Sequence, residues 1–300
     1  MLTIKNILCP VDLSPTSRRA LEYATALSAA YQATLRVVEV IDSSMPPIPR
    51  GTWLPQPLSA DMRQAYLDEL RDFIAPAAGR GPGPDAQIVE GVVVTEVLRE
   101  AERLPANLVV MGTHGRGGFE RLVLGSVTEK VLRKAKCPIL TVPAGLPPLS
   151  GGLTPFPSII CAFDFSRAST HALMYAWSLA RDTTGRLTVL HVVEWPQGDA
   201  HVGEAPLDVE ALPGGLGFDV RRQLHEAMPK GELATGPIEE VVACGKPSLE
   251  ILRLASEHPT GLIVLGVHGR GVVDLALFGS TTHRVIREAR CPVLTVRSPD

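Results

Sequence analysis

The sequence is short of positive charge. Its 29 lysines and arginines are outnumbered by 32 acidic residues, giving a net charge of −3. Neither half is basic: residues 1–150 carry 16 basic and 15 acidic side chains, and residues 151–300 carry 13 and 17. Nucleic-acid binding needs a basic face, so that class is not expected. Long apolar runs are also lacking, and with them any expectation of a membrane span. The N-terminal MLTIKNILCPVD has one short apolar stretch before Asp12 and no cleavage-site pattern, so it does not read as a signal peptide. Cysteines are few and scattered: Cys9, Cys137, Cys161, Cys244 and Cys291. An odd number without close pairs gives neither a disulfide framework nor zinc-ligand spacing. Buried, reduced thiols in a cytoplasmic protein are the expectation. There is no Walker A sequence, and Gly115-x-Gly117 lacks the third glycine of the dinucleotide fingerprint.

What the chain does have is apolar mass and an internal duplication. Apolar residues make up 45% and charged residues 20% of 300 positions, enough to bury two cores. Ile7–Ser14, ILCPVDLS, returns as Ile159–Ser166, IICAFDFS. Val109–Gly117, VVMGTHGRG, returns as Ile263–Gly271, IVLGVHGRG, and Lys136–Val142 returns as Arg290–Val296. A period of about 150 residues means two duplicated domains, not a solenoid. Pro143–Pro157, with five prolines and three glycines, reads as a linker over 144–157 between a domain of residues 1–143 and one of 158–300.

Within the first copy, apolar runs predict strands at Ile4–Val11, Leu35–Ile41, Ala86–Glu90, Leu108–Met111 and Pro138–Val142. Helices are expected from Ser14-Pro15 to about Gln32, over Asp61–Ala75, over Thr95–Leu104 and over Ser126–Lys136. The second copy repeats the order, with strands at Ser158–Phe163, Leu187–Val193, Ile238–Ala243, Gly261–Leu265 and Pro292–Val296. Stretches 42–59 and 194–217 read as long loops. Strands alternating with helices mean βαβ units around a parallel sheet.

The chemistry concentrates in two glycine patterns. The first copy reads Gly112-x2-Gly115-x9-Gly125-Ser126, the second Gly266-x2-Gly269-x9-Gly279-Ser280. Each lies between an apolar strand and an amphipathic helix. Gly112 and Gly266 are expected to let the chain turn off the strand end. Gly115 and Gly269, without Cβ atoms, let their N–H groups approach a phosphate. Gly125 and Gly279 do the same where the first N–H groups of a helix lack partners. Ser126 and Ser280 add hydroxyls, and Arg116 and Arg270 offset phosphate charge.

This doubled pattern resembles the universal stress protein family, in its tandem form, over nearly the whole chain. The resemblance implies an α/β fold of two Rossmann-like (adenine nucleotide alpha hydrolase-like) domains, each a five-stranded parallel sheet with helices on both faces. It implies ATP, with or without Mg²⁺, as ligand. Carried over by position, the adenine and ribose meet Asp12, Val40, Met111 and Gly112, and the phosphates meet Gly115, Gly125, Ser126 and Val127. In the second copy the positions are Asp164, Val192, Leu265, Gly266, Gly269, Gly279, Ser280 and Thr281, the last standing where the family usually has Val. It further implies that the last strands, Ile139–Val142 and Val293–Val296, pair the two domains as an intramolecular pseudo-dimer, with a further homodimer open. The expected role is a cytoplasmic, nucleotide-dependent stress-response or regulatory protein that presents its ordered loops to a protein partner.

Plainer readings stand beside these. Ser126-x-x-Glu129 also spells a capping box; Ser280 has His283 at the reciprocal position. Asp12 and Asp164 read equally as helix caps. His114 and His268 suit either a phosphate or ribose contact or a loop carbonyl. His191, where the first copy has Glu39, reads as a packed or hydrogen-bonded core residue. Without a general base or a Mg²⁺ carboxylate cluster, a slow ATP hydrolase or phosphoryl transferase is the alternative. An interaction protein whose sites are empty or hold a non-nucleotide ligand is the third.

Overall fold

A computed structural model describes residues 4–42, 58–77, 83–115, 124–149, 156–194, 216–231, 233–234, 236, 238–257, 261–267 and 279–298. The chain forms two compact units, Thr3–Gly151 and Gly152–Asp300. Among the described residues no helix is long and apolar enough to cross a membrane.

The first unit runs β1 (Asn6–Val11), α1 (Pro15–Tyr31), β2 (Thr34–Ile41), α2 (Ala60–Ile74), β3 (Asp85–Glu90), α3 (Val93–Arg103), β4 (Leu108–Gly112), α4 (Ser126–Lys134) and β5 (Ile139–Val142). Its strands are parallel in the order β3-β2-β1-β4-β5. Both faces must therefore be covered, and the apolar runs of β4 and β5 are buried throughout. Right-handed crossovers decide which helix covers which face. The chain steps from β1 through β2 to β3 in one direction and from β3 over to β4 and β5 in the other. The α1 side and the α3–α4 side are thus opposite faces. Accordingly α1 packs on β1, β2, β4 and β5, while α3 packs on β1, β2 and α4.

The second unit repeats this with β6 (Ser158–Ala162), α5 (Arg167–Thr183), β7 (Arg186–Val193), α6 (Leu216–Ala227), β8 (Glu239–Cys244), α7 (Pro247–Glu257), β9 (Leu262–Val267), α8 (Ser280–Glu288) and β10 (Val293–Arg297). Its parallel order is β8-β7-β6-β9-β10.

Local signals set most boundaries. α1 begins where Ser14 Oγ accepts from Ser17 N at 3.2 Å with Pro15 at the first helical position. It ends where Gln32 turns left-handed at φ 52°. α5 is built alike from Ser166, Ser169 and Thr184. β5 starts one residue after Pro138, which has no N–H for the ladder; its carbonyl still accepts from Val109 N at 3.0 Å.

Two helix ends differ from the sequence expectation by two residues. α3 starts at Val93, two residues before Thr95, because Gly91 at φ +146° redirects the chain directly into it. α4 stops at Lys134, two residues before Lys136, because Ala135 is already extended at ψ 142° toward β5.

Candidate functional site

In the strand order β3-β2-β1-β4-β5 the direction of winding reverses between β1 and β4. The carboxyl ends of strands at such a reversal open a crevice in which α/β proteins bind ligands. In the second unit the reversal lies between β6 and β9.

The β1 side of the crevice begins at Asp12. Its Oδ1 accepts from Ser14 N at 3.1 Å, closing an Asx turn around Leu13, which sits at φ 61°. Asp164 does the same for Ser166 N at 3.0 Å around Phe165, at φ 62°. Neither aspartate is the helix cap; the caps are Ser14 and Ser166. The other oxygen of Asp12 lies 2.6 Å from where a Cβ on Gly115 would stand. Gly115 therefore passes directly over the Asp12 carboxylate, and a side chain there would displace it.

The β4 side corrects one expectation. Gly112 and Gly266 do not turn the chain: Gly112 is the last residue of β4, and Gly266 lies inside β9, paired with Val296. Their small size serves helix approach instead. A Cβ on Gly112 would meet Thr16 Cγ2 of α1 at 2.8 Å, and one on Gly266 would meet Ser169 N of α5 at 2.4 Å. Beyond Gly112, Thr113 is buried, donates its N–H to Val142 O at 3.0 Å, and accepts from Gly125 N at 2.8 Å. Its hydroxyl meets His114 Nδ1 at 2.9 Å. The buried Nε2 of His114 has no partner among the described residues.

The second correction concerns the serines. Gly125, extended at φ −59° and ψ 135°, is the N-cap of α4, so Ser126 stands at the first helical position and forms no capping box. Glu129 turns away to Arg133 at 2.7 Å. The first intrahelical bond is Glu129 N to Gly125 O, 2.9 Å. The N–H groups of Ser126, Val127 and Thr128 precede it, at the positive end of the helix dipole. α8 opens the same way: Gly279 is its N-cap, Ser280 follows, and His283 N bonds Gly279 O at 3.0 Å.

The structure thus gathers Asp12, Gly112, Gly115, Gly125, Ser126 and Val127 around one crevice. Met111 is buried in β4 beneath it. Val40 is half-buried near the end of β2, beyond β1. In the second unit Asp164, Leu265, Gly266, Gly279, Ser280 and Thr281 hold the equivalent places, with Val192 near the end of β7. Gly269, His268, Arg116 and Arg270 lie outside the described residues, as does most of the two long loops.

His191 bonds Phe163 O through Nδ1 at 2.8 Å and lies tilted against Phe165, ring centroids 4.7 Å apart and planes 53° apart. No cluster of three metal-ligating side chains occurs among the described residues. Burial pushes the thiols of Cys9 and Cys161 far up and that of Cys291 up to about 12, so these are not nucleophiles.

One residue escaped the sequence reading. Thr128 is buried and donates its hydroxyl to Gly112 O at 2.9 Å. Its recurrence as buried Thr282, three residues after the second copy's Gly279, was the available signal.

A profile of the universal stress protein family matches residues 3–143 and again 155–297. A universal stress protein of Mycobacterium tuberculosis is 28% identical over 313 aligned residues, covering 97% of this chain and 96% of its own. One from Methanocaldococcus jannaschii is 33% identical over 140 residues, 46% of this chain and 81% of that protein. The crystal structure of a universal stress protein from Archaeoglobus fulgidus shares the fold at a TM-score of 0.69, with 24% identity and 98% of each chain covered. The chain belongs to the universal stress protein family, with the family's domain present twice in tandem.

Proposed function

We propose that each unit binds ATP in its crevice and that the protein acts in the cytoplasm as a nucleotide-dependent stress-response or regulatory protein. One observation carries this reading. The N-terminus of α4, with no side-chain cap, is fastened to the exit of β4 beside a glycine that crosses the Asp12 carboxylate. The first N–H groups of α4, which have no intrahelical carbonyl, and the helix dipole suit the phosphates. Asp12, oriented by Ser14 N at the carboxyl end of β1, stands where the ribose or adenine of the nucleotide would lie. Mg²⁺, where present, would ride on the phosphates. Binding, not turnover, suits this site: the Asx turn commits Asp12 to holding the loop. A protein partner would read the nucleotide-bound surface.

Isothermal titration with ATP tests the reading. Two equivalents are expected to bind wild-type protein. Gly115→Val/Gly125→Val should remove one, since added side chains meet Asp12 Oδ2 at 2.6 Å and Thr113 O at 3.0 Å. Gly269→Val/Gly279→Val should remove the other. Absence of ATP binding to the wild type would overturn the proposal.

A further inference from the structure

Two consecutive residues at the exit of β4 hold the first turn of α4. Gly112 O accepts from the Thr128 hydroxyl at 2.9 Å, and Thr113 O accepts from Gly125 N at 2.8 Å. Thr113 is itself anchored to β5 through Val142 O. One strap therefore grips the N-cap of the helix and the other its third residue. Between them stand Ser126 and Val127, whose N–H groups face no intrahelical carbonyl.

Thr128 is not placed there for helix propensity. A threonine within a helix commonly turns its hydroxyl back to the carbonyl four residues earlier. At this position that carbonyl belongs to Leu124, outside the helix, and the hydroxyl reaches across to the strand instead. The residue is buried, and its branched Cβ leaves few rotamers, so the strap is stiff. The second copy keeps the threonine, as Thr282, but Gly279 is set differently: an added Cβ would meet nothing within 4 Å among the described residues, whereas at Gly125 it would meet Thr113 O at 3.0 Å.

We propose that Thr128 is a positioning residue for the first nucleotide site: its hydroxyl fixes the N-terminal turn of α4 against β4, so that the N–H groups of residues 126–128 are aimed at the phosphates before ligand arrives. The inference rests on the nucleotide reading above. It separates binding of the phosphates, which depends on the strap, from binding of the nucleoside, which does not.

The test uses the full chain titrated with ATP and, by competition, with adenosine. Thr128→Val keeps the volume and removes the hydroxyl; Thr128→Ser keeps the hydroxyl. T128V is expected to weaken ATP about tenfold at one of the two sites, the loss expected for one hydrogen bond's worth of alignment, and to leave adenosine within about twofold. T128S is expected to bind both as the wild type does. If T128V binds ATP like the wild type, or weakens ATP and adenosine alike, or if T128S behaves as T128V, the positioning role is wrong while the nucleotide site stands. If T128V does not fold, Thr128→Ala replaces it. If neither folds, the hydroxyl serves the fold and the proposal falls. A wild type that binds no ATP overturns the nucleotide reading itself.

Discussion

The same motif glycine lets a helix approach in both copies but faces different atoms in each. In the first, a Cβ on Gly112 would press on the Thr16 methyl, a side chain at 2.8 Å. In the second, the residue at the Thr16 position is Ala168, and a Cβ on Gly266 would run into helix backbone: Ser169 N at 2.4 Å and Ala168 C at 2.5 Å. With alanine in place of threonine, the helix backbone itself lies against the strand. The glycine that is a convenience beside Thr16 has become a necessity beside Ala168. Duplicated motifs thus share a spelling without sharing a constraint.

The largest effect is expected at that contact. Gly266→Ala should destabilise the second unit by about 3 kcal/mol or more, since backbone cannot swing aside. Gly112→Ala should cost about 1 kcal/mol, and adding Thr16→Ala should recover most of it. Urea melts of the single and double variants would check this. Equal losses at the two glycines would break the comparison.

A smaller contrast lies between α3 and α7. Glu100 is 2% exposed and bonds Arg103 at 2.8 Å and Arg36 at 3.4 Å. At the matching positions the second copy has Leu254 and Thr188, and Thr188 bonds Glu239 at 2.7 Å. Glu100→Ala should cost about 2 kcal/mol, leaving a void and a half-buried guanidinium short of one partner. Glu100→Leu combined with Arg36→Thr, copying the second domain at both positions, should come within about 1 kcal/mol of the wild type, because replacing both members of a buried ion pair by uncharged residues often does. Chemical denaturation separates the two outcomes. A large loss in the double variant would show that the ionic arrangement is required.

The smallest effect is expected on α8. Hydrogen bonding from Arg287, then from Arg284, holds the Glu288 carboxyl below its usual range; the first copy has Lys134 there. A lowered folded-state value means stability that is complete above the unfolded carboxylate range and is lost as pH falls through the folded value. The pairs are partly exposed, so Glu288→Gln should cost only about 0.3–0.5 kcal/mol at neutral pH. The gap to the wild type should close on acidification, as read by melts across pH. A gap that persists in acid would mean the side chain acts through packing.

Much of this architecture was readable in the sequence for a physical reason. Buried parallel strands must be apolar runs, and helix caps are local chemistry, so β4 and the Ser14-Pro15 start of α1 announced themselves. The duplication then placed each element twice. What the sequence could not show were distances between elements. Ser126 looks like a cap until Gly125 is seen to be extended and one residue ahead of it. Gly112 looks like a turn until α1 is seen against it. The strap from Thr128 to Gly112 spans 16 residues and has no periodicity to reveal it. The candidate site was legible as a list of residues, but its alignment is a property of packing.

The matched thiols Cys9 and Cys161 lie on the central strands β1 and β6, both at 0% exposure. Burial holds their protons on, so neither reacts until its strand is uncovered. Each domain therefore carries an internal clock. Under alkylation, the rate at which one thiol falls behind the other measures how often each copy opens, without any added probe. A ligand that binds one copy would slow that copy's clock alone, which turns the two halves of a single chain into sample and control.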